Sequence, residues 1–302
     1  CARAITAGEG DVYLAGGVES MSRAPFVMAK AESAFSRDLR VADSTIGARF
    51  PNPRLEQEFG NHSMPETADA VAAELGLRRE DCDAYALKSQ QRFAAASAAG
   101  VFAHEIVPIE VPQGRKAPPL VVSLDEHPRA DTTLASLQKL KPLFAGGVTT
   151  AGNASGINDG AAAVLLGSRA AGERYGQRPL ARVMSAAVVG VEPRLMGLGP
   201  VAAIELALTR AGIRLADVDL IEINEAFAAQ VLGCLQRLGV AADDARVNPN
   251  GGAIAVGHPL GASGARLALA AALELQRRQG RYALVSLCIG VGQGIAVVLE
   301  RT

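Results

Sequence analysis

Three residues with side chains suited to acid–base or nucleophilic chemistry stand beside glycines or at segment ends in the last third of the chain. They are Asn224 in "EINEAFAAQ", His258 in "GHPLG" and Cys288 in "LVSLCIGVGQG". An imidazole can carry a proton near neutral pH, a thiol can act as a nucleophile or an acid, and an amide can hold a water or an oxyanion. Because glycine lets a ligand approach the backbone closely, the sequence predicts one site built from these residues.

Each of the three residues also has a purely structural interpretation. Cys288 can be a small core residue, since free cysteine is among the most buried residue types. His258 can be a turn histidine bonded to a carbonyl, and Asn224 can cap the following helix. Their joint occurrence at strand ends within one repeat favours the functional interpretation, because ligands of α/β proteins bind at the carboxyl ends of strands.

The elements that must position these residues alternate between strands and helices. Strands are predicted at 180–190, 217–223, 282–288 and 295–300, and helices at 199–212, 224–239 and 263–280. Ser263 is the predicted N-cap of the last helix. This alternation is typical of a layered α/β domain with a largely buried sheet.

The end of this pattern occurs twice in the chain. "GINDGAAAVLL" (156–166) aligns with "GVGQGIAVVLE" (290–300). Residues 4–17 resemble residues 273–290 in their order of helix tail, glycine, strand and turn. The chain therefore contains two copies of one unit.

The first copy is interrupted by an insertion that contains predicted helices at 65–76 and 79–99. We expect three parts: residues 1–29 and 156–170 as an N-terminal half, 30–155 as an insertion domain, and 171–302 as a C-terminal half.

The first half is predicted to be incomplete. Residue 1 corresponds to about residue 271 and the second copy begins near residue 180, so about 90 residues of the first copy are expected before Cys1. "CARAI" also starts in mid-helix without a cap. We expect the chain alone to be poorly stable, because such a gap would leave sheet edges and apolar faces uncovered.

Composition argues against several classes of function. A net charge of −1 provides no field that would attract nucleic acid or an anionic membrane, and no apolar run reaches membrane-spanning length. The four cysteines lack metal-binding spacing and are expected to be reduced thiols of a cytoplasmic protein. The sequence has no P-loop, dinucleotide-binding fingerprint or metal motif, so it predicts no nucleotide hydrolysis, NAD or metal.

Four motifs together resemble the thiolases, which make or split 3-oxoacyl-coenzyme A thioesters. They are "NEAFAA", "GGAIAVGHPLGASGAR", "CIGVGQG" and "TAGNASGINDGAAA", and the resemblance covers all 302 residues. "GGVESMSRAPFVMAKAESAFSRDLR" and "NHSMPETAD" look most like the bacterial 3-oxoadipyl-CoA thiolases of aromatic-compound breakdown. The resemblance implies the thiolase fold, in which two similar layered α/β halves (αβαβα) carry an insertion, or loop, domain.

The resemblance assigns a role to each residue of the predicted site. His258 would activate a nucleophilic cysteine and form an oxyanion hole with a water held by Asn224. Cys288 would move a proton to or from the α-carbon of the acetyl group, and the N–H of Gly290 would donate to a second oxyanion hole. Related decarboxylating enzymes carry a histidine where Cys288 stands, so this cysteine favours a thiolase.

The chain departs from the family at the acyl-carrying cysteine. Thiolases form the acyl-enzyme on a cysteine of a "CxSG" motif at a helix start, where the helix N-terminus favours the thiolate. The repeat-equivalent "GASG" has Gly261 in that place, and the matching cysteine of the first copy would lie about ten residues before residue 1. We expect Cys1, Cys82 and Cys234 to be structural and the 302-residue chain alone to be inactive.

Coenzyme A would be a co-substrate and not a permanently bound cofactor. By resemblance, its contacts are Arg129 and Ser136 at the nucleotide end, Ala151 and Ser155 along the pantetheine, and Met64, Ala226 and Phe227 along the tunnel. The insertion also has a local excess of basic residues, which can instead be an ordinary solvated loop: Arg115, Lys116, Arg129, Lys139 and Lys141.

The predicted reaction is thiolytic cleavage of 3-oxoadipyl-CoA by a homodimer or homotetramer. The alternatives are an acetoacetyl-CoA thiolase and a noncatalytic CoA- or lipid-binding relative. A dicarboxylic acyl group needs a cationic or hydrogen-bonding partner at its far end, for which Arg23, Arg40 and Arg49 are candidates.

Overall fold

A computed structural model of the chain describes residues 1–114 and 117–302. The helices are α1 (Ala2–Thr6), α2 (Pro53–Phe59), α3 (Met64–Leu75), α4 (Arg79–Ala98), α5 (Leu134–Gln138), α6 (Arg169–Arg174), α7 (Gly199–Ala211), α8 (Ala228–Leu238), α9 (Ala253–Val256) and α10 (Leu260–Arg278). The strands are β1 (Val12–Glu19), β2 (Phe26–Met28), β3 (Val41–Asp43), β4 (Ile109–Val111), β5 (Leu120–Val122), β6 (Gly160–Gly167), β7 (Ala181–Gly190), β8 (Leu220–Ile223), β9 (Tyr282–Ile289) and β10 (Gln293–Arg301). Among residues 1–114 and 117–302, no helix combines the length and the hydropathy of a membrane span.

The C-terminal half is a sheet covered by helices on both faces. Its strand order is β7-β10-β9-β8, with β8 parallel to β9 and the other neighbours antiparallel. Ile204 of α7 shares a core cluster with Leu284 of β9, whereas Leu267 of α10 shares a second cluster with Val285. Because successive strand residues point to opposite faces, α7 and α10 lie on opposite sides of the sheet. The layered α/β prediction for this half is confirmed.

The helix cap predicted at Ser263 is wrong, and the structure also excludes the capping interpretation of Asn224. Helix α8 begins only after Phe227, because Phe227 forms a β-bridge with Ala154 and stays extended, with φ −148° and ψ 147°. Helix α10 begins after Pro259, whose ring holds φ at −66°, so Ser263 lies inside the first turn. The side chains of Asn224 and Ser263 therefore do not cap a helix and can contact other groups.

Strands β1 and β6 form a pair that repeats the pairing of β9 and β10. Tyr13 of β1 faces Leu166, and Tyr282 of β9 faces Glu300. Since the repeat aligns residue 166 with residue 300, Tyr13 and Tyr282 take equivalent places in the two pairs. Helix α10 contacts both pairs, so one helix supports strands of both copies.

Helices of the insertion pack on the C-terminal half. A capping box of Ser63 and Glu66 starts α3, and Glu80 and Asp81 lie in the first turn of α4, where the helix dipole favours acidic groups. Both helices contact α8, and α4 also contacts α9. Their bounds confirm the helices predicted at 65–76 and 79–99.

A buried carboxyl group joins α4 to the end of β8. Glu225 is only 1% exposed. Its Oε1 accepts hydrogen bonds from the Tyr85 hydroxyl at 3.0 Å and Asn248 Nδ2 at 3.1 Å. Its Oε2 accepts from the Ser89 hydroxyl at 2.6 Å and the Ile254 N–H at 3.2 Å. Four donors from three chain segments therefore satisfy this buried group, as burial requires.

Close backbone contact also sets the position of β10 against α7. A Cβ atom on Gly294 would overlap the backbone of Gly199 at the start of α7. Gly294 is also the register partner of Cys288 on β9. The close approach of Gly294 to Gly199 therefore helps to position the end of β9 that carries Cys288.

We predict that Gly294→Ala lowers the free energy of unfolding by about 1–3 kcal/mol, because the added methyl group forces α7 away from the sheet. Urea unfolding followed by circular dichroism measures this. Gly190→Ala is the matched control, since a Cβ at that sheet position meets nothing within 4 Å. Equal unfolding free energies for the two variants would show that the Gly294–Gly199 approach is not tight.

We predict that Tyr85→Phe lowers the free energy of unfolding by about 1–3 kcal/mol, because the buried Glu225 carboxyl loses a donor that nothing replaces. Chemical unfolding again gives the value. Tyr175→Phe is the control, because Tyr175 is 61% exposed. If both variants match the parent protein, the carboxyl network does not stabilise the fold.

Candidate functional site

The parallel strands β8 and β9 bring two of the predicted residues to one edge of the sheet. Ile223 is the register partner of Ser286, and the Asn224 N–H donates to the Ser286 carbonyl at 2.9 Å. Asn224 thus follows the end of β8 while β9 continues by two residues to Cys288. The carboxyl ends of parallel strands lie at the same edge of a sheet, which is where α/β proteins place their ligands.

The third predicted residue contacts the first. Nδ2 of Asn224 lies 3.2 Å from Nε2 of His258. Asn224 is 1% exposed, and its Oδ1 is buried without a partner among the described residues. His258 is half-buried. The amide and the imidazole that the sequence analysis singled out are therefore neighbours, with one unused amide oxygen beside them.

His258 is held by bonds from both its backbone and its ring. Its N–H donates to the Gly156 carbonyl and to Oδ1 of Asn158, both at 3.3 Å. Nδ1 of the ring lies 2.7 Å from the Ser263 hydroxyl. Burial, and then the positive charge of Arg266, lower the pKa of His258 to about 4, so the imidazole is neutral at pH 7.

Cys288 is a protonated thiol in this environment. The residue is half-buried, and burial raises the pKa of its thiol to about 12. A protonated thiol is a poor nucleophile but can donate a proton to a carbanion. Gly290 follows two residues later and lies against Met64, since a Cβ on Gly290 would be 3.6 Å from the Met64 sulfur.

The structure brings together three of the residues predicted to contact coenzyme A. The Ser155 N–H donates to the Ala226 carbonyl at 2.9 Å, and Ala154 bridges to Phe227. The segment 153–155 thus runs antiparallel beside 226–228, directly after Asn224. Ala151 lies in the exposed turn that precedes this segment.

Arg129 and Ser136 lie in the insertion. The Arg129 N–H donates to Oε1 of Gln90 at 2.9 Å, and its guanidinium Nη1 donates to the carbonyls of residues 126–128. Ser136 forms a capping box with Thr133 at the start of α5. Lys139 follows the end of α5, while Arg115 and Lys116 lie outside the described residues.

The three arginines predicted as candidates for the far end of the acyl group are exposed. Arg40 forms an ion pair with Asp38 at 3.5 Å, and Arg49 donates to the Gly47 carbonyl. Arg23 ends the short turn 21–23. The structure therefore does not bring the three together into one cationic site.

A cavity of about 530 Å³ adjoins the loop that carries His258. Its lining includes Asn158, Gly257 and Pro259, together with the charged residues Asp125 and Arg266. Among the described residues, those that line it include none of the predicted catalytic or CoA-contacting side chains. The three predicted side chains of the site, together with Ser155, Ala226 and Phe227, instead lie at or beside the edge formed by β8, β9 and the segment 153–155.

Sequence reasoning misses two residues that hold His258. It predicts Ser263 as a cap and marks Asn158 only as part of a repeat motif. The signal for Ser263 is its place five residues after His258, across Pro259, where the first helical turn points its hydroxyl back at the ring. Nothing local marks Asn158, because its bond to His258 spans 100 residues.

The chain matches two family models. "Thiolase, N-terminal domain" matches residues 1–170, and "Thiolase, C-terminal domain" matches residues 177–301. These matches do not support the expectation that the first half is incomplete.

Curated relatives agree with the models. The chain is 60% identical to the "3-oxoadipyl-CoA/3-oxo-5,6-dehydrosuberyl-CoA thiolase" of Escherichia coli K12, with 99% of this chain and 75% of that protein covered. It is 57% identical to a "beta-ketoadipyl-CoA thiolase" of Acinetobacter baylyi, with the same coverage.

Solved structures agree as well. Human mitochondrial 3-ketoacyl-CoA thiolase matches with a TM-score of 0.90 and 44% identity, over 99% of this chain and 74% of that one. Its complex with CoA matches with a TM-score of 0.89 and 44% identity, over 99% and 73% of the two chains. With both family models matched, relatives more than half identical and neighbours of this similarity, the chain belongs to the thiolase family and has the thiolase fold.

Proposed function

We propose that the protein transfers an acyl group between a 3-oxoacyl-CoA and coenzyme A, and that its substrate is 3-oxoadipyl-CoA, which it cleaves to succinyl-CoA and acetyl-CoA. The observation that carries this proposal is the contact between His258 Nε2 and Asn224 Nδ2 at the sheet edge where β9 carries Cys288 as its penultimate residue. The choice of substrate is supported by the 60% identity to the 3-oxoadipyl-CoA thiolase of Escherichia coli.

His258 acts as the base of the proposed reaction. Its imidazole is neutral at pH 7, because burial lowers the pKa to about 4, so a lone pair is available to accept the proton of an attacking thiol. Asn224 holds a water beside it, and this pair stabilises the oxyanion that forms at the attacked carbonyl. Oδ1 of Asn224 is buried and has no hydrogen-bond partner among the described residues, which supports the binding of a polar group beside this amide.

The three buried or half-buried thiols of the chain are unsuited to carry the acyl group. Burial raises the pKa of Cys82 and of Cys288 to about 12, and raises that of Cys234 further. Such thiols stay protonated at neutral pH, whereas the nucleophile must be a thiolate. The proposed nucleophile is therefore a cysteine other than these three.

Cys288 serves the carbon–carbon bond step. Thiolate attack on the 3-oxo carbon breaks its bond to the α-carbon, and the leaving acetyl-CoA enolate takes a proton from the Cys288 thiol. The Gly290 N–H donates to the enolate oxygen. Free CoA then gives its thiol proton to the Cys288 thiolate, attacks the acyl-enzyme and leaves as succinyl-CoA, while the released cysteine thiolate takes back the proton held by His258. In the reverse direction, Cys288 removes the α-proton.

Coenzyme A binds along the segments 153–155 and 226–228 in this proposal. Ser155, Ala226 and Phe227 line the pantetheine with Ala151 and Met64, while Arg129 and Ser136 meet the nucleotide. Support comes from the bond between the Ser155 N–H and the Ala226 carbonyl, and from the CoA complex of the human thiolase.

We also propose a homo-oligomer located in the cytoplasm. Leu14, Val18 and Leu165 are 66–73% exposed on β1 and β6 and offer an apolar surface that a second copy can cover. Free thiols at Cys82 and Cys234 suit a reducing compartment.

We predict CoA-dependent cleavage of 3-oxoadipyl-CoA with a higher kcat/KM than acetoacetyl-CoA, the substrate of the runner-up thiolase. Loss of the absorbance of the 3-oxoacyl thioester measures it, for residues 1–302 and for the chain joined to an upstream thiolase segment. His258→Ala and Cys288→Ala lower kcat by about 10²–10⁴. CoA binding without cleavage in the extended protein would instead identify a noncatalytic binder.

Two controls accompany these variants. His104→Ala removes an exposed histidine, and Cys82→Ala removes a buried thiol away from the sheet edge. Both are expected to keep the parent kcat. Activity near the parent value in His258→Ala would contradict its role as the base, and the same result in Cys288→Ala would contradict proton transfer by that thiol.

We predict that His258 makes the fold less stable as pH falls from 6.5 to 4. Its pKa is about 4 in the folded chain and 6.5 ordinarily, so in this window the unfolded chain binds a proton that the folded chain does not. The free energy of unfolding of the parent protein therefore falls more steeply with decreasing pH than that of His258→Gln. Urea unfolding at pH 7 and pH 5 tests this, with His104→Gln as control; parallel slopes for all three proteins would refute it.

A further inference from the structure

Ser263 is positioned to act on His258 and not as a helix cap. The residue is fully buried in the first turn of α10. Its hydroxyl donates to the Pro259 carbonyl at 2.9 Å and lies 2.7 Å from Nδ1 of His258. Helix α10 thus brings one hydroxyl oxygen against the ring nitrogen that faces away from Asn224.

The hydrogen bonds around the neutral ring determine which of its two nitrogens carries the N–H proton. A serine hydroxyl has one hydrogen, and the bond to the Pro259 carbonyl uses it, because a carbonyl oxygen can only accept. The contact with Nδ1 then requires the ring to donate and the Ser263 oxygen to accept. At the other end, Nδ2 of Asn224 can only donate, so Nε2 must accept.

The opposite tautomer requires two changes at once. A proton on Nε2 would face the Asn224 amide hydrogens, so that amide would have to turn its Oδ1 toward the ring. The Ser263 hydroxyl would also have to rotate away from Pro259 and donate to Nδ1. The arrangement in the structure avoids both changes, and each end of the ring favours the same proton position.

We propose that Ser263 is a positioning residue that keeps the proton of neutral His258 on Nδ1 and so leaves Nε2 as the basic nitrogen. The existence of the tautomer depends only on this geometry. Its catalytic consequence rests on the proposed function, in which Nε2 takes the thiol proton.

Nitrogen-15 NMR of the 302-residue chain with labelled histidine tests the tautomer without substrate. The His258 signals are assigned by their loss in His258→Gln. At pH 7 we expect Nδ1 in the protonated, pyrrole-type range and Nε2 in the unprotonated, pyridine-type range. Signals of the opposite order in the parent protein would overturn the proposal, whatever any variant does.

Variants of the serine test the cause. Ser263→Ala removes the acceptor and should shift the tautomer ratio toward Nε2–H by about fivefold or more, the effect of losing one hydrogen bond. Ser263→Thr keeps a hydroxyl and should restore the parent ratio. Ser185→Ala is the control, because the Ser185 hydroxyl donates to the Ala207 carbonyl and meets no imidazole in the described structure. An unchanged ratio in Ser263→Ala would overturn the assignment to Ser263.

Activity gives a separate readout. In the extended protein, Ser263→Ala should lower kcat by about tenfold or more with little change in KM, because it removes orientation and not substrate contact. If the tautomer responds as expected but no thiolytic activity exists in the parent protein, the proposed function fails and the role of Ser263 stands. If the parent protein cleaves the substrate but shows the opposite tautomer, the proposed function stands and the proposed role of Ser263 fails.

Discussion

The site depends on one buried carboxyl group. Glu225 follows Asn224 directly and accepts hydrogen bonds from α4, from Asn248 and from the backbone of α9. A carboxyl group removed from water must satisfy its oxygens, so these segments cannot separate without a large cost. The same bonds therefore fix Asn224 at the end of β8 and the loop that carries His258 after α9. Helix α4 is tied to the predicted site through this carboxyl group, although it supplies neither the imidazole nor the thiol.

Burial sets the chemistry of the groups at the sheet edge. It lowers the pKa of His258 to about 4 and raises that of Cys288 to about 12, so both groups are neutral at pH 7. The neighbouring Glu222 follows the same rule, since burial raises its pKa to about 8. A neutral imidazole accepts a proton and a neutral thiol donates one. The proposed acid–base steps therefore rest on two groups that burial keeps uncharged at neutral pH.

Helix α10 links the two copies of the repeated unit to this chemistry. Its first turn carries Ser263 beside His258. The helix also contacts β1 and β6 of the first copy and β8 and β9 of the second. Gly17 and Gly261 lie so close that a Cβ on either would overlap the other segment. Because the backbones of β1 and α10 are in direct contact here, packing against the strands of both copies sets the orientation of α10 and of the loop that carries His258.

The sequence by itself determined the family and the layered C-terminal half, and it predicted the three residues of the candidate site. Motifs and periodicity are local, and Asn224, His258 and Cys288 stand in short glycine-rich or strand-end contexts that carry their own signal. Only the tertiary structure decided which groups touch them. The Asn224–His258 contact spans 34 residues, and the bonds of Tyr85 to Glu225 and Asn248 span 140 and 163. Capping preferences placed Asn224 and Ser263 at helix starts, but the bridge of Phe227 to Ala154 and the ring of Pro259 moved both starts. Local pattern records what a backbone segment prefers, whereas partners, proton positions and pKa values arise from burial among segments that are distant in the chain.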